Sequence, residues 1–219
     1  TPQCEEDLLS YLQSQNIGKP KYIFATHPHA DHIGSMAAVV DTFGCENFIM
    51  PEMVSYTRTF ENMLSSVEQA GCQTAYGVAG DTFTLGDAQL KLLWPTEGFD
   101  ASDPNEISLV LQVTYGEYSF LLTGDAGKDA EEGFLSQVQP VTVLKAGHHG
   151  SDTSSTEAFL QKAQPEYVVI SVGAGNSYGH PSPAMLERLD ENCQVLRTDE
   201  KGSIVFTVKE DELHVSTAR

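Results

Sequence analysis

The chain has 219 residues, 40% hydrophobic and 20% charged, which suits one large domain with room for a proper core. Acidic residues outnumber basic ones 31 to 12, a formal net charge of -19 that disfavours an extended footprint on nucleic acid or anionic lipid. No apolar run approaches the length that crosses a bilayer.

In chain order, apolar residues at helical spacing over 5–16 predict a helix, with Gly18 as its stop. "KYIFATH" (21–27) reads as a strand, "DHIGSMAAVVDTFG" (31–44) as a helix closed by Gly44, and "NFIM" (47–50) as a strand. A helix over 51–71 and a strand over 74–79 follow, an alternation that implies parallel strands joined by crossover helices. Near residue 81 the period changes to two, around Gly86-Asp87 and Gly116-Glu117, so 81–95 and 107–125 are expected as antiparallel hairpins. Helix and strand then alternate again: helices over 126–138, 155–163 and 182–192, strands over 141–147, 167–173 and 193–198. A last hairpin spans 203–217 through the acidic turn "KEDE". The expected fold class is α/β, with two mixed sheets and helices on their outer faces in a single domain, 1–219.

The chemistry-bearing residues fall at the predicted strand ends, where α/β proteins keep their sites. In "THPHADH" (26–32), His27 and His29 share one side of an extended backbone, and Asp31 and His32 follow at the turn into a helix. Imidazole nitrogens and a carboxylate in such a cluster are ligands for zinc or a similar divalent ion. Asp125 ends the apolar run "SFLLTGDAG"; alone it would be a helix N-cap, and beside other ligands it becomes a metal candidate. In "LKAGHHGSD" (144–152), neighbouring side chains point apart. One histidine of His148 and His149 therefore binds metal while the other faces substrate, with His148 the favoured ligand. His180 in "GNSYGHPSP" is a candidate general acid or substrate contact, and His214 reads as structural. Cys45 and Cys72 each follow a glycine and precede a short apolar run; on adjacent strands their sulfurs would come within disulfide reach.

"THPHADHIGS", "LLTGDA", "LKAGHHGSDTSS" and "SVGAGNSYGHPSP" together resemble the metallo-β-lactamase superfamily, in particular the branch seen in the soluble domain of the competence protein ComEC. The resemblance implies an αββα sandwich holding one or two divalent ions, zinc or manganese. It implies His27 and His29 as ligands of a first ion, Asp31 and His32 of a second, Asp125 as the bridge, and one of His148 and His149 to complete the second site. A further histidine that many members carry is missing, since none lies between His32 and His148; Asn105 stands about where it would be. The strand pair that ComEC-like domains carry ahead of their first helix is also missing. The sequence starts at Thr1 without methionine, as expected of an N-terminally truncated or processed form.

A divalent ion in such a site lowers the pKa of bound water to about 7. Asp31 is placed to orient that water, and His149 or His180 to steady developing charge or protonate a leaving group. Hydrolysis is the expected reaction class. The resemblance points to a phosphodiester, and the net charge of -19 favours a small phosphoester over DNA. A lactone or acyl ester is the alternative substrate, and a catalytically silent binding module the alternative class. The branch resembled implies an extracellular or cell-surface location.

Overall fold

The computed structural model describes residues 2–219, and the chain divides into two compact units with the boundary between Gly77 and Val78. The first unit runs α1 (Pro2–Ser14), β1 (Tyr22–Phe24), α2 (Ala30–Ile33), α3 (Met36–Phe43), β2 (Asn47–Met50), α4 (Arg58–Gln69) and β3 (Gln73–Tyr76). Its sheet has the order β1-β2-β3 and is parallel throughout, with Tyr22 opposite Asn47 and Asn47 opposite Gln73. The helix predicted over 31–44 is two helices, α2 and α3, separated at Gly34-Ser35. The helix predicted over 51–71 starts only at Arg58, because the Thr57 hydroxyl accepts a hydrogen bond from the Phe60 N–H (3.3 Å) and fixes the cap there. Such a cap is worth about 1 kcal/mol. Phe60, Met63 and Val67 then recur at helical spacing and are buried, along with Val40 of α3 and Phe48 and Ile49 of β2.

The second unit carries β4 (Thr82–Leu85), β5 (Ala88–Trp94), β6 (Val110–Tyr115), β7 (Tyr118–Leu122), α5 (Lys128–Phe134), β8 (Val143–Lys145), α6 (Glu157–Ala163), β9 (Tyr167–Ile170), α7 (Pro183–Leu186), β10 (Gln194–Arg197), α8 (Thr198–Lys201), β11 (Ile204–Lys209) and β12 (Glu212–Thr217). Its main sheet has the order β10-β9-β8-β7-β6-β5-β4. Pairing is antiparallel from β4 to β7 and parallel from β7 to β10, so the change of period in the sequence marks a real change of sheet type. The two predicted two-residue turns are present, with Gly86 (φ 58°) and Gly116 (φ 57°) in the left-handed backbone that such turns require. Only one turn, α7, forms of the helix predicted over 182–192. The hairpin β11–β12 is a separate ribbon, and the Phe206 ring meets Phe120 and Tyr167 edge-on at 6.0 and 5.4 Å.

The second unit's core joins Leu93, Trp94 and Val110 of the antiparallel half to Leu144, Phe159 and Val168 of the parallel half through Phe134. Phe134 lies edge-on to Phe159 at 5.6 Å and tilted to Trp94 at 6.5 Å. No helix among the described residues is long and apolar enough to cross a membrane. The cysteines Cys4, Cys45, Cys72 and Cys193 are in no disulfide.

Candidate metal centre

In the first unit, the chain leaves β1 with one more ladder bond, from the Ala25 N–H to the Ile49 carbonyl (2.9 Å), and then turns at residues 26–32. The His29 backbone is extended, and its carbonyl accepts from the N–H groups of His32 and Ile33, both at 3.0 Å, to start α2. Fully buried Ile33 anchors that helix. This local geometry gathers the four predicted residues: the His27 ring centroid lies 4.8 Å from that of His29 and 4.2 Å from that of His32. His32 Nε2 is 3.7 Å from the Asp31 carboxylate. His27 is fully buried, and its Nδ1 is in hydrogen-bond contact with Thr26 Oγ1 at 3.1 Å. Nε2 is therefore the ring nitrogen placed to ligate, oriented from behind as metal-binding histidines are.

In the second unit, Asp125 follows β7 at 2% exposure. Its N–H donates to Ser108 Oγ (3.1 Å), which ties it to the segment before β6. A cationic group and an imidazole flank its carboxylate: Lys145 Nζ at 3.8 Å from one oxygen and His149 Nε2 at 3.4 Å from the other. Lys145 itself is held by donating to the Gly124 and Ala146 carbonyls at 2.7 and 3.0 Å. His149 Nδ1 donates to the Ser171 carbonyl (2.7 Å), which turns Nε2 toward Asp125. The Asp125 carboxylate holds the His149 imidazole above the usual histidine range, against its burial and the charge of Lys145. An imidazole Nε2 and a carboxylate facing each other this closely need a cation between them, either a proton or a metal. The donor set fits a divalent ion: the ligand atoms of Asp31 and His32 lie within 4.8 Å of one another, and so do those of Asp125 and His149.

His148 and His149 both adopt left-handed backbone (φ 46° and 55°), a region that costs a non-glycine residue on the order of 1 kcal/mol each. Two clamps hold this strained turn. Ser151 donates its N–H to the His148 carbonyl (2.9 Å), and Ser154 Oγ donates to the Gly147 carbonyl (2.7 Å). Further along, the buried Glu131 carboxylate accepts from the N–H groups of Ser155 and Thr156 at 2.6 and 2.8 Å. Arg188 donates to the Asp152 and Ser154 carbonyls, both at 2.9 Å. Gly150 (φ 81°) has no room for a side chain, since a Cβ there would sit 2.8 Å from Pro181.

The strain sends the two rings apart, to a centroid separation of 6.4 Å. His149, not His148, stands beside Asp125. His148 lies 5.8 Å from the His180 ring and reaches Thr153 Oγ1 at 3.4 Å. His180 is clamped by Asn176, whose Oδ1 accepts from its N–H (3.1 Å) and whose Nδ2 donates to its carbonyl (2.6 Å). Burial first, and the neighbouring histidines second, hold His180 below the usual histidine range. Asn105 is buried, and its Oδ1 accepts no hydrogen bond among the described residues. His214 lies on β12 opposite Thr207, with its Nε2 4.0 Å from the Glu212 carboxylate. Sequence reasoning missed Lys145, Ser108, Glu131 and Arg188. A lysine inside the apolar run "VTVLKAG" was the one visible signal.

The metallo-β-lactamase superfamily model matches residues 2–174. The ComE operon protein 3 of Bacillus subtilis is 32% identical over 208 residues, 94% of this chain and 27% of that protein. The recombination protein 2 of Haemophilus influenzae is 28% identical over 99% of this chain and 26% of its own length. The chain thus spans about a quarter of these relatives. Among solved structures, Tm1679, described as a metal-dependent hydrolase of the β-lactamase superfamily, aligns with a TM-score of 0.55 at 14% identity, over 86% of this chain and 80% of that one. The CmlA β-hydroxylase E377D mutant aligns with a TM-score of 0.55 at 12% identity, over 83% of this chain and 43% of that one. The motifs, the α/β topology and these matches agree, and the chain belongs to the metallo-β-lactamase superfamily.

Proposed function

We propose that this chain is a metal-dependent hydrolase of phosphodiesters or small phosphoesters. The observation that carries the reading is the buried Asp125 carboxylate with His149 Nε2 turned onto it at 3.4 Å by the Ser171 carbonyl, an arrangement built to receive a cation. Superfamily membership supports His27, His29, Asp31 and His32 as metal ligands in the first unit and Asp125 and His149 as metal ligands in the second. A bound divalent ion, zinc or manganese, would supply an activated water at neutral pH and neutralise charge on the oxygen under attack. Asp31, 63% exposed in its side chain, would orient that water and take up its proton. His180, held below the usual histidine range, is neutral at pH 7 and accepts or relays a proton at the substrate, while His148 contacts the substrate directly.

A phosphoester is preferred over an acyl ester because the relatives bear names of competence and recombination, and nucleic acid is a phosphodiester. The formal charge of -19 favours a small or terminal phosphoester over a long polyanion. The test is hydrolysis of bis-p-nitrophenyl phosphate with zinc or manganese by the wild type, Asp31→Ala and Asp125→Asn. Metal-dependent turnover that falls on the order of 100-fold or more in both variants is expected. Turnover of p-nitrophenyl acetate alone would establish the acyl-ester alternative. No turnover of either ester, with metal binding intact, would make the domain a binding module.

A further inference from the structure

Cys45 and Cys72 stand immediately before β2 and β3. Asn47 pairs with Gln73, and the Gln73 N–H donates to the Glu46 carbonyl at 2.9 Å, so the cysteines are one residue out of step on neighbouring parallel chains. With parallel chains about 4.8 Å apart and rising about 3.3 Å per residue, that stagger separates the two Cα atoms by about 5.8 Å, within the span of a disulfide. The side chains also meet, since the two thiols are in hydrogen-bonding contact. Cys45 is fully buried, and Cys72 is partly open to solvent.

We propose that Cys45 and Cys72 form a modification site, a dithiol that closes to a disulfide on meeting an oxidised low-molecular-weight thiol. Exposure sets the order of events. The Cys72 thiolate attacks the small disulfide, forms a mixed disulfide and releases one small thiolate. The Cys45 sulfur then attacks the Cys72 sulfur, gives up its proton and expels the second small thiol. Two protein thiols and one small disulfide thus become one protein disulfide and two small thiols, with two electrons passed to the small disulfide. Burial and the neighbouring Cys72 push the Cys45 thiol up to about 12, so Cys45 stays protonated and acts second. β1 runs from the end of the sheet where β2 and β3 also begin toward the ligand turn at 26–32. The cross-link would lie at the sheet end away from that turn and leave its metal binding unchanged.

The experiment incubates the native full chain with excess oxidised glutathione, alkylates the remaining thiols and maps peptides by mass spectrometry. The expected product has lost two hydrogens and yields one peptide pair joining Cys45 to Cys72. Cys45→Ser is expected to stop at a glutathione adduct on Cys72. The proposal is overturned if wild type keeps both thiols alkylatable, if its Cys72 adduct never resolves, or if Cys72 links to Cys4 or Cys193. Should Cys45→Ser not fold, the wild-type map alone decides.

Discussion

Glu131 offers the sharpest check on how the strained histidine turn is held. Its carboxylate is 1% exposed and accepts the N–H groups of both Ser155 and Thr156, the latter opening α6. Replacing it with alanine strips two buried donors of their acceptor at about 1–3 kcal/mol each, so Glu131→Ala should lose about 2–6 kcal/mol. Glu131→Gln keeps one acceptor oxygen and should lose about half as much. The pH dependence has a definite sign. Burial raises the Glu131 pKa, and the Thr156 and Ser155 donors only partly offset it. A raised acid contributes stability that is fully present below its unfolded pKa of about 4.3 and is lost as pH climbs through the folded value. Urea unfolding of wild type and Glu131→Gln across pH 4 to 7 reads this directly, because the variant cannot titrate at that position. Wild type should gain on the variant as the solution is acidified. A difference that is flat with pH would refute the raised pKa of Glu131, and an alanine variant within about 0.5 kcal/mol of wild type would refute the clamp.

Metal should stabilise the chain, by about 2.7 kcal/mol at a hundredfold excess over its dissociation constant. Thermal melts with zinc or manganese against EDTA test this; an equal metal-induced shift in Asp125→Asn would show that the ion binds elsewhere. Gly133 lies within α5 with its backbone against the Trp94 ring, where a Cβ would sit 2.5 Å from Cη2. Gly133→Ala should therefore cost about 1–3 kcal/mol, read through the fluorescence of Trp94, the single tryptophan; an unchanged midpoint would mean that the ring moves aside freely. Trp94→Phe removes the donor to the Glu106 carbonyl (2.6 Å) and should lose about 1–3 kcal/mol by circular dichroism.

The order of elements was legible because each carries its period locally. The return from period two to helix-strand alternation marked where the hairpins of the second unit's sheet give way to its parallel part. Helix ends were less legible, because they are decided by contacts that the period does not encode. Thr57 ends the predicted helix of 51–71 early at its start, since its hydroxyl serves the Phe60 N–H better than a further helical turn would. The residues after Leu186 keep an apolar spacing, yet Arg188 is drawn off to the Asp152 and Ser154 carbonyls and no long helix follows.

The candidate ligands were legible for a different reason: histidines and aspartates at strand ends announce themselves by residue type. What spacing could not settle was orientation. Alternation says that His148 and His149 point apart, but not which of them faces Asp125, because both are in left-handed backbone where the strand rule no longer holds. The choice is made by partners far along the chain, the Ser171 carbonyl for His149 and the Thr153 hydroxyl for His148. It follows that Ser171 acts through its main chain, and a side-chain change there should leave His149 in place. Ser171→Ala should therefore keep the metal affinity of wild type within about twofold, whereas His149→Ala should lower it on the order of 100-fold. Equal losses in the two variants, measured by metal titration, would show that His149 is not the ligand oriented by that carbonyl.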